Sequence, residues 1–421
     1  MYKNKAGSWT SVLVLACLQA QFANAELVPV DDADLAQITG QAYISIDKTY
    51  HPEASAPNSD KNFSYTRINL GMDIKTLTNI DRVELGRYKR EGDDREGMAD
   101  FLANNMALGY IYDQAYFERN PSAAQPIKGY NANGTPIKYR DGEIVPFEIK
   151  NPYLEFAYDE NTDRIVGVRM GLGEAMGVLS GAVQTFTGNL EVDIVDTGSS
   201  LTSDFVDKNY CGGGLTCGTT FYRLLANLSS LLVASSPITA KAVLINANGQ
   251  RDSIRAEYIG VPNGEPFNIN NVNAITKPVL QLMDTLNIIG NDIEWTGNNA
   301  HIINKDCHIL GISSCFDLEQ YQSFTIGTIT QKDGGRYLTN PTGGTFLSFS
   351  TIGDDSTEAG RLEWLNDINK ENPTVDDFMK VTSGFYLNIP EGNVQVNLGE
   401  AILGTNRVRT EYINLPGRNL F

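Results

Sequence analysis

Histidine is scarce in this chain of 421 residues, which has three, at His51, His301 and His308. None of them lies in a recognisable arrangement of nucleophile and base, and the sequence contains no G-x-S-x-G motif. This scarcity disfavours most classes of hydrolase. Nothing else in the sequence indicates a cofactor, so we expect none.

The chain also has fewer basic than acidic residues, and it lacks long apolar runs. It has 33 basic and 51 acidic residues, which give a net charge of −18. Removal of the first 25 residues takes away Lys3 and Lys5, so that 31 basic and 51 acidic residues remain and the net charge becomes −20. Such a surface repels nucleic acid and anionic lipid head groups, so neither is expected as a partner. After residue 25 there is no apolar run of about 18 residues, so we expect no transmembrane span.

The first 25 residues have the three parts of a bacterial Sec signal peptide. Lys3 and Lys5 form a basic region, Val12 to Ala16 an apolar region, and Ala23-Asn24-Ala25 a small-x-small cleavage site. The pattern predicts cleavage after Ala25.

An alternative for the same segment stays open. Val14-Leu15-Ala16-Cys17 resembles a lipobox, which would make Cys17 a lipidated N-terminus. Both interpretations predict an exported protein that passes through the periplasm to the cell surface or outer membrane.

Four cysteines remain in the exported chain, and their number and spacing indicate disulfides. Cys211 and Cys217 lie in one short segment, and Cys307 and Cys315 in another. An even number in an oxidising compartment favours disulfide bonds, and local pairing is the simplest of the three connectivities. A metal site using Cys307, His308 and Cys315 is disfavoured because it lacks C-x-x-C spacing and a fourth ligand.

The pattern of apolar residues predicts a mainly β protein with a helical middle section, a β-rich α+β fold of antiparallel sheets, elongated or sandwich-like. Ile68, Leu70, Met72 and Ile74 alternate with other residues, as in a half-buried strand. The length exceeds one ordinary core. We therefore expect a signal peptide over 1–25, an N-terminal β-rich domain over 26–200, a mixed section over 201–300 and a C-terminal β-rich domain over 301–421.

Several helices are predicted within this fold. Leucines at 224, 225, 228, 231 and 232 share one helical face, and Thr276 with Pro278 opens a second helix. Two shorter helices are expected over 98–108 and near 358–369.

Asp196 begins the motif with most resemblance to a catalytic sequence, Asp196-Thr197-Gly198, which follows an alternating strand. Aspartic peptidases hold a catalytic aspartate in this context, but their mechanism needs two carboxylates that share a proton. No second Asp-Thr-Gly or Asp-Ser-Gly is present. We favour a strand that ends in a turn, in which Asp196 accepts hydrogen bonds from nearby backbone amides.

Asp159, Asn161 and Asp163 have the spacing that opens a calcium loop. Arg164 then occupies the position that requires glycine, and Met170 replaces the glutamate at the twelfth position. A plain hairpin turn is therefore favoured over a metal site.

The sequence resembles gammaproteobacterial secreted surface proteins, and in particular pilus-system proteins of the Fil type. The resemblance lies in Leu27-x-Pro29-x-Asp31-Asp32, in Asp34-Leu35-x-x-Ile38-Thr39-Gly40-Gln41-Ala42, and more faintly in Gly188-Asn189-Leu190-x-Val192-x-Ile194 and Arg407-Val408-Arg409-Thr410-Glu411-Tyr412. It implies a role at the cell surface or in a fimbrium, and it supplies no catalytic residue.

Three hypotheses follow from the sequence. The preferred one is a non-enzymatic, structural or adhesion-related surface protein of a pilus-like system, whose partners are other envelope or pilus-system proteins or further copies of itself. In that system the strand at 42–46 could complete the sheet of a neighbour. The alternatives are an aspartic-type peptidase that uses Asp196, and an envelope module that binds a hydrophobic ligand near the leucines of 224–232.

Overall fold

Alternation of buried and exposed residues accounts for most of the secondary structure. In Leu190, Val192 and Ile194 every second side chain is buried, as the two-residue period of a strand requires. The computed structural model describes residues 43–54, 61–90, 95, 97–121, 123–197, 235–286, 290–309, 312–351 and 362–411. Its elements are mainly strands in antiparallel and mixed sheets, so the predicted β-rich fold is confirmed.

Among the described residues, the largest sheet contains twenty strands. In chain order they are β1 (Tyr43–Tyr50), β2 (Phe63–Gly71), β3 (Asp73–Thr76), β4 (Thr78–Leu85), β5 (Phe101–Leu108), β10 (Phe147–Lys150), β11 (Tyr153–Asp159), β12 (Arg164–Gly171), β13 (Glu174–Phe186), β14 (Gly188–Thr197), β15 (Pro237–Ile245), β16 (Tyr258–Gly260), β17 (Pro266–Ile269), β18 (Ile293–Thr296), β19 (Asn299–Ile303), β22 (Cys315–Asp317), β23 (Ser323–Ile326), β26 (Thr342–Gly343), β27 (Phe346–Ser350) and β30 (Gly384–Val396).

Smaller sheets and three helices complete the described structure. The small sheets pair β6 (Tyr110–Ile111) with β9 (Ile144–Val145), β20 (His308–Ile309) with β21 (Ile312–Ser313), and β28 (Leu362–Leu365) with β29 (Phe378–Val381). A four-stranded sheet consists of β7 (Gln125–Tyr130), β8 (Pro136–Lys138), β24 (Thr328–Lys332) and β25 (Gly335–Asn340). The α-helices are α1 (Gln114–Arg119), α2 (Thr276–Thr285) and α3 (Leu398–Leu403), and single 3-10 turns lie at Leu318–Gln320 and Val375–Asp377.

One continuous series of strands positions the surface described below. From β1 the sheet runs through β2, β11, β12, β27 and β30 to β14 and β15. Every pair in this series is antiparallel except β14 with β30, which is parallel. These strands come from all three of the predicted sections, and the described residues from Tyr43 to Glu411 cluster as one compact unit.

Within the described ranges, the buried side chains form one large and two smaller clusters. The large cluster lies around β14, β15 and β30 and includes Leu190, Ile238 and Val394. A second cluster packs Phe63, Tyr65 and other residues of the β1–β27 region against β28 and β29. The third lies around Tyr110 and Phe117.

Two predicted helices are strands in the structure. Residues 101–108 form β5, where Phe101, Ala103 and Ala107 are buried with a period near two, because pairing with β4 and β13 overrides the helical propensity of the segment. Leu362–Leu365 form β28 within the predicted helix 358–369, and all four residues are buried. Burial on both sides leaves no period from which a strand could be recognised.

The second predicted helix is confirmed. Helix α2 begins at Thr276, where the side chain of Asn273 accepts hydrogen bonds from the amides of Ile275 and Thr276 at 3.0 and 2.8 Å. A tight turn joins β7 and β8 at Asn133-Gly134, where Gly134 has a φ of +73°. The signal peptide, Cys17, the Cys211–Cys217 pair and the helix over 224–232 lie outside the described residues.

Candidate interaction surface

Strand β1 lies at an edge of the large sheet. It pairs with β2 over its whole length, from Tyr43 opposite Gly71 to Tyr50 opposite Ser64. Among the described strands, β2 is the only one whose register with β1 forms a ladder. An edge of this kind presents backbone donors and acceptors to which another extended chain can pair. The strand predicted at 42–46 is therefore present from Tyr43 onward, and within the described chain it is paired on one side.

The side chains of β1 make this edge apolar on one face. Ile44 and Ile46 alternate with Ser45 and Asp47, and the two isoleucines are 61% and 67% exposed. Charged residues and proline are the usual protection of sheet edges. Here the face of the isoleucines carries one such residue in β1, Lys48, whose Nζ lies 3.8 Å from Glu160.

The same apolar face continues across five strands. Residues directly opposite one another in register project to the same side of a sheet. The register therefore aligns Ile46 with Ile68, Leu154, Met170 and Leu347. Together with the neighbouring rows this surface, which we call the apolar face, consists of Ile44, Ile46, Ile68, Leu70, Leu154, Phe156, Val168, Met170, Leu347 and Phe349.

The apolar face is half-buried over β2 and β11 and most exposed at β1. Leu347 packs against the large core, and the ring of Phe349 lies 5.4 Å from that of buried Phe385. Further along, Met170 is 50% exposed, and the β1 isoleucines are the most exposed members. The apolar face is thus an extension of the core side of the sheet, and its exposed part has the character of an interaction surface.

The opposite face of these strands is covered by β28 and β29. Trp364 is fully buried there, and the carbonyl of its neighbour Leu365 accepts a hydrogen bond from Arg169 at 2.8 Å. Glu155 lies between two arginines, accepting from Arg67 Nη2 at 2.7 Å and from Arg169 Nε at 2.8 Å. The Arg169 guanidinium also lies 4.9 Å from the centre of the Trp364 ring. This layer therefore packs on the side of the strands opposite to the apolar face.

The charge state of Arg169 follows from this packing. Burial lowers its pKa, but the carboxylate of Glu155 and the hydroxyl of Tyr153 raise it, and the net pKa is above its ordinary value. The guanidinium therefore stays charged, and the pair with Glu155 is a buried ion pair.

Asp196 lies at the end of β14 and contacts the start of α3. Its Oδ1 accepts from the Thr197 amide at 2.7 Å, and its Oδ2 accepts from the Leu398 amide at 2.9 Å. Leu398 is the first residue of α3, whose amides favour a negative group. These contacts favour the interpretation of Asp196 as a turn residue that accepts backbone amides.

The candidate metal ligands Asp159, Asn161 and Asp163 form the turn between β11 and β12. Asp159 accepts from the Asn161 amide at 3.0 Å and from the Thr162 hydroxyl at 2.7 Å, and the Asn161 side chain accepts from Asn62 at 2.9 Å. The oxygens of Asp159 and Asn161 thus close the hairpin. Within the described ranges no group of three His, Cys, Asp or Glu residues has the geometry of a metal site.

Cys307 and Cys315 form a disulfide, with Cα atoms 5.3 Å apart, as the sequence predicts. The bond joins the residue before β20 to the first residue of β22 and closes the short hairpin between them. Cys211 and Cys217 are not among the described residues, so their pairing stays a prediction.

An apolar cavity of about 40 Å³ lies between α3 and the large sheet, lined among others by Ile194, Phe267 and Leu398. Its volume suits one or a few water-sized molecules, not a lipid or a drug-sized ligand. The leucines of 224–232, on which the hydrophobic-ligand hypothesis depends, lie outside the described part of the chain.

The sequence pattern identifies β1 as a strand but does not identify the apolar face. The members of that face come from five separate segments, and each segment alone has the pattern of an ordinary half-buried strand. A sequence would indicate such a face if it contained more half-buried strands than other segments that could cover their apolar sides.

No protein family, curated protein or solved structure matches this chain. The resemblance to pilus-system proteins therefore stays a prediction from the sequence. No helix in the described ranges is both long and apolar enough to cross a bilayer.

Proposed function

We propose that this chain is an exported, non-enzymatic protein of a pilus-like system at the cell surface, and that it assembles with a neighbouring subunit through β1. The observation that carries the proposal is the edge position of β1 with Ile44 and Ile46 exposed. Support for export comes from the predicted signal peptide and from the disulfide between Cys307 and Cys315.

An extended strand from the neighbouring subunit fits this edge best. Backbone pairing along β1 would supply the hydrogen bonds, and alternate apolar side chains of the incoming strand would cover Ile44 and Ile46. A flat apolar ligand would form no hydrogen bonds with the backbone groups of the edge.

The test places one charge on the edge without changing the core. Ile46→Lys adds a lysine to the exposed face, a substitution that native sheets use to prevent edge pairing. Ile275→Lys is the matched control, because Ile275 is 77% exposed, precedes α2 and is not part of the apolar face. Intact cells are sheared, and the sheared fraction, outer membrane and periplasm are probed for the chain.

The expected result is recovery of the wild-type chain and of Ile275→Lys with the sheared filaments, and retention of Ile46→Lys in the periplasm. Confinement of the wild-type chain to the soluble periplasm would contradict the pilus-like role. Equal recovery of both variants with filaments would contradict assembly through β1.

A further inference from the structure

A cleft of about 650 Å³ lies between the large sheet and the four-stranded sheet of β7, β8, β24 and β25. Its size is within the range of sites that bind small molecules. We call it the tyrosine cleft, because Tyr130 and Tyr139 are its aromatic lining residues. It is separate from β1 and from the apolar face.

One wall is a row of side chains from the large sheet. Lys75 lies opposite Glu148 on β10, and Glu148 lies opposite Met176 on β13, so the three share one face. The Lys75 Nζ donates to Glu148 Oε1 at 2.7 Å. The positive charge of this wall is therefore balanced within the wall.

The other wall carries the two tyrosines at the β7–β8 hairpin. Tyr130 is 42% exposed, with Lys332 Nζ 4.9 Å from its ring centre, and Lys128 Nζ lies 5.0 Å from the ring centre of Tyr139. Each lysine is attracted to the electron-rich face of the ring beside it. Lys128 is also paired, 2.6 Å from Glu143.

The hydroxyl of Tyr139 stays protonated at neutral pH. Burial raises its pKa, the carboxylates of Glu148 and Glu143 raise it further, and Lys75 opposes them. A protonated phenol can both donate and accept a hydrogen bond.

Uncharged polar groups complete the lining. The hydroxyls of Thr330 and Thr339 are 3.0 Å apart, and Asn340 Nδ2 lies 3.3 Å from the Thr339 hydroxyl. Hydroxyl and amide groups bond equally well to donors and acceptors, so this side suits a ligand with many hydroxyl groups.

We propose that the tyrosine cleft binds an uncharged saccharide. Aromatic rings pack against the C–H faces of a sugar, and the threonine, asparagine and tyrosine groups can bond its hydroxyls. An anionic ligand is disfavoured because the two lining lysines are already paired and the whole chain carries −18. A purely apolar ligand is disfavoured because it would remove water from the remaining donor and acceptor sites of the lining threonine, asparagine and tyrosine groups. This binding activity goes beyond the proposed function and does not depend on β1.

The test uses the full exported chain and a printed array of neutral and anionic oligosaccharides, followed by calorimetry with the neutral oligosaccharide that is retained best. Tyr130→Ala and Tyr139→Ala are each expected to weaken that binding at least about tenfold, since each removes one ring. Tyr50→Ala is the matched control. Tyr50 is a strand tyrosine that is 55% exposed, with Lys48 4.9 Å from its ring centre, and it lies on β1.

Thr339→Val is a second variant that tests the site if a tyrosine variant fails to fold, because it removes a hydroxyl and keeps the side-chain shape. It is expected to weaken binding several-fold with an unchanged melting temperature. The proposal would be overturned by binding to anionic oligosaccharides alone, by no retention of any oligosaccharide, or by equal binding of wild type and all cleft variants. Unchanged saccharide binding by Ile46→Lys would separate this proposal from the one on assembly.

Discussion

The imidazole of His51 lies 2.9 Å from the carboxylate of Glu363, so that the residue after β1 is joined to β28. Both side chains are buried, and Lys61 also donates to Glu363. The contact fastens the β28–β29 layer to the strands that carry the exposed apolar face. We therefore expect the β28–β29 layer and the edge strand β1 to unfold together.

Glu363→Ala is expected to lower the free energy of unfolding by about 3 kcal/mol, because it leaves His51 and Lys61 without their carboxylate. Glu363→Gln retains a hydrogen-bond acceptor and is expected to cost about 1–2 kcal/mol. Urea unfolding of the two variants and the wild-type chain measures both values. A loss in Glu363→Ala no larger than in Glu363→Gln would contradict the charge-based explanation.

Low pH is expected to destabilise the packing of the β28–β29 layer. Burial raises the pKa of Glu363, but hydrogen bonds from His51 and Lys61 lower it more, to a value below the usual 4.5. On the same layer, hydrogen bonds from Lys370 and Thr374 lower the pKa of Asp377 to about 2. A lowered carboxyl pKa contributes stability above the unfolded-state pKa, and that stability is lost as the pH falls through the folded-state value.

Amide hydrogen exchange over residues 362–381 measures this effect. Protection is expected to decrease between about pH 4 and about pH 2, before protection in β14 and β30 decreases. In Glu363→Gln the part of the decrease due to Glu363 is expected to disappear. Simultaneous loss of protection in all strands would show that the layer does not open separately.

The buried group of Arg67, Glu155 and Arg169 gives a second test. Glu155→Ala leaves two buried guanidinium groups without a counter-ion and is expected to cost about 3–5 kcal/mol. Glu265→Ala is the control, because Glu265 pairs with Arg251 at 3.1 Å on the surface and is expected to cost less than about 1 kcal/mol. Thermal unfolding of both variants makes the comparison. Equal losses would mean that the buried group does not hold the layer.

How much of the fold is predictable from the sequence depends on whether a segment is covered on one side or both. β14 is recognisable because Leu190, Val192 and Ile194 alternate with polar residues. β28 is not, since Leu362, Glu363 and Trp364 are all buried and carry no period. The turns at Asn133 and Asp159 are predictable because they depend on a few neighbouring residues.

The candidate sites depend on contacts between distant segments. Lys75, Tyr139 and Thr339 line one cleft but belong to three different parts of the chain. No local pattern in the sequence states which strands become neighbours, or which sheet face is left without a covering layer. In the sequence alone, Ile44 and Ile46 therefore have the pattern of core residues. Their place on the uncovered face is evident only from the register of β1, β2 and β11.

Removal of the disulfide gives a further prediction. Cys307 and Cys315 are separated by 8 positions, so the chain-entropy estimate for the double variant Cys307→Ala/Cys315→Ala is a loss of about 2–3 kcal/mol. Thermal unfolding of this variant is compared with that of Cys211→Ala/Cys217→Ala. Peptide mapping without reductant would show whether Cys211 and Cys217 are also joined. A double variant of Cys307 and Cys315 as stable as wild type would show that the hairpin is held by its backbone pairing alone.

Asp196 offers the test that separates a turn residue from a catalytic one. Asp196→Ala removes the acceptor of the Leu398 amide at the start of α3 and is expected to cost about 1 kcal/mol, whereas Asp196→Asn keeps an acceptor and is expected to cost less than about 0.5 kcal/mol. Urea unfolding measures both. The peptidase hypothesis instead predicts proteolysis with an acid optimum that Asp196→Asn abolishes at unchanged stability. Because asparagine preserves the backbone contact and removes only the ionisable group, that single variant distinguishes the two roles.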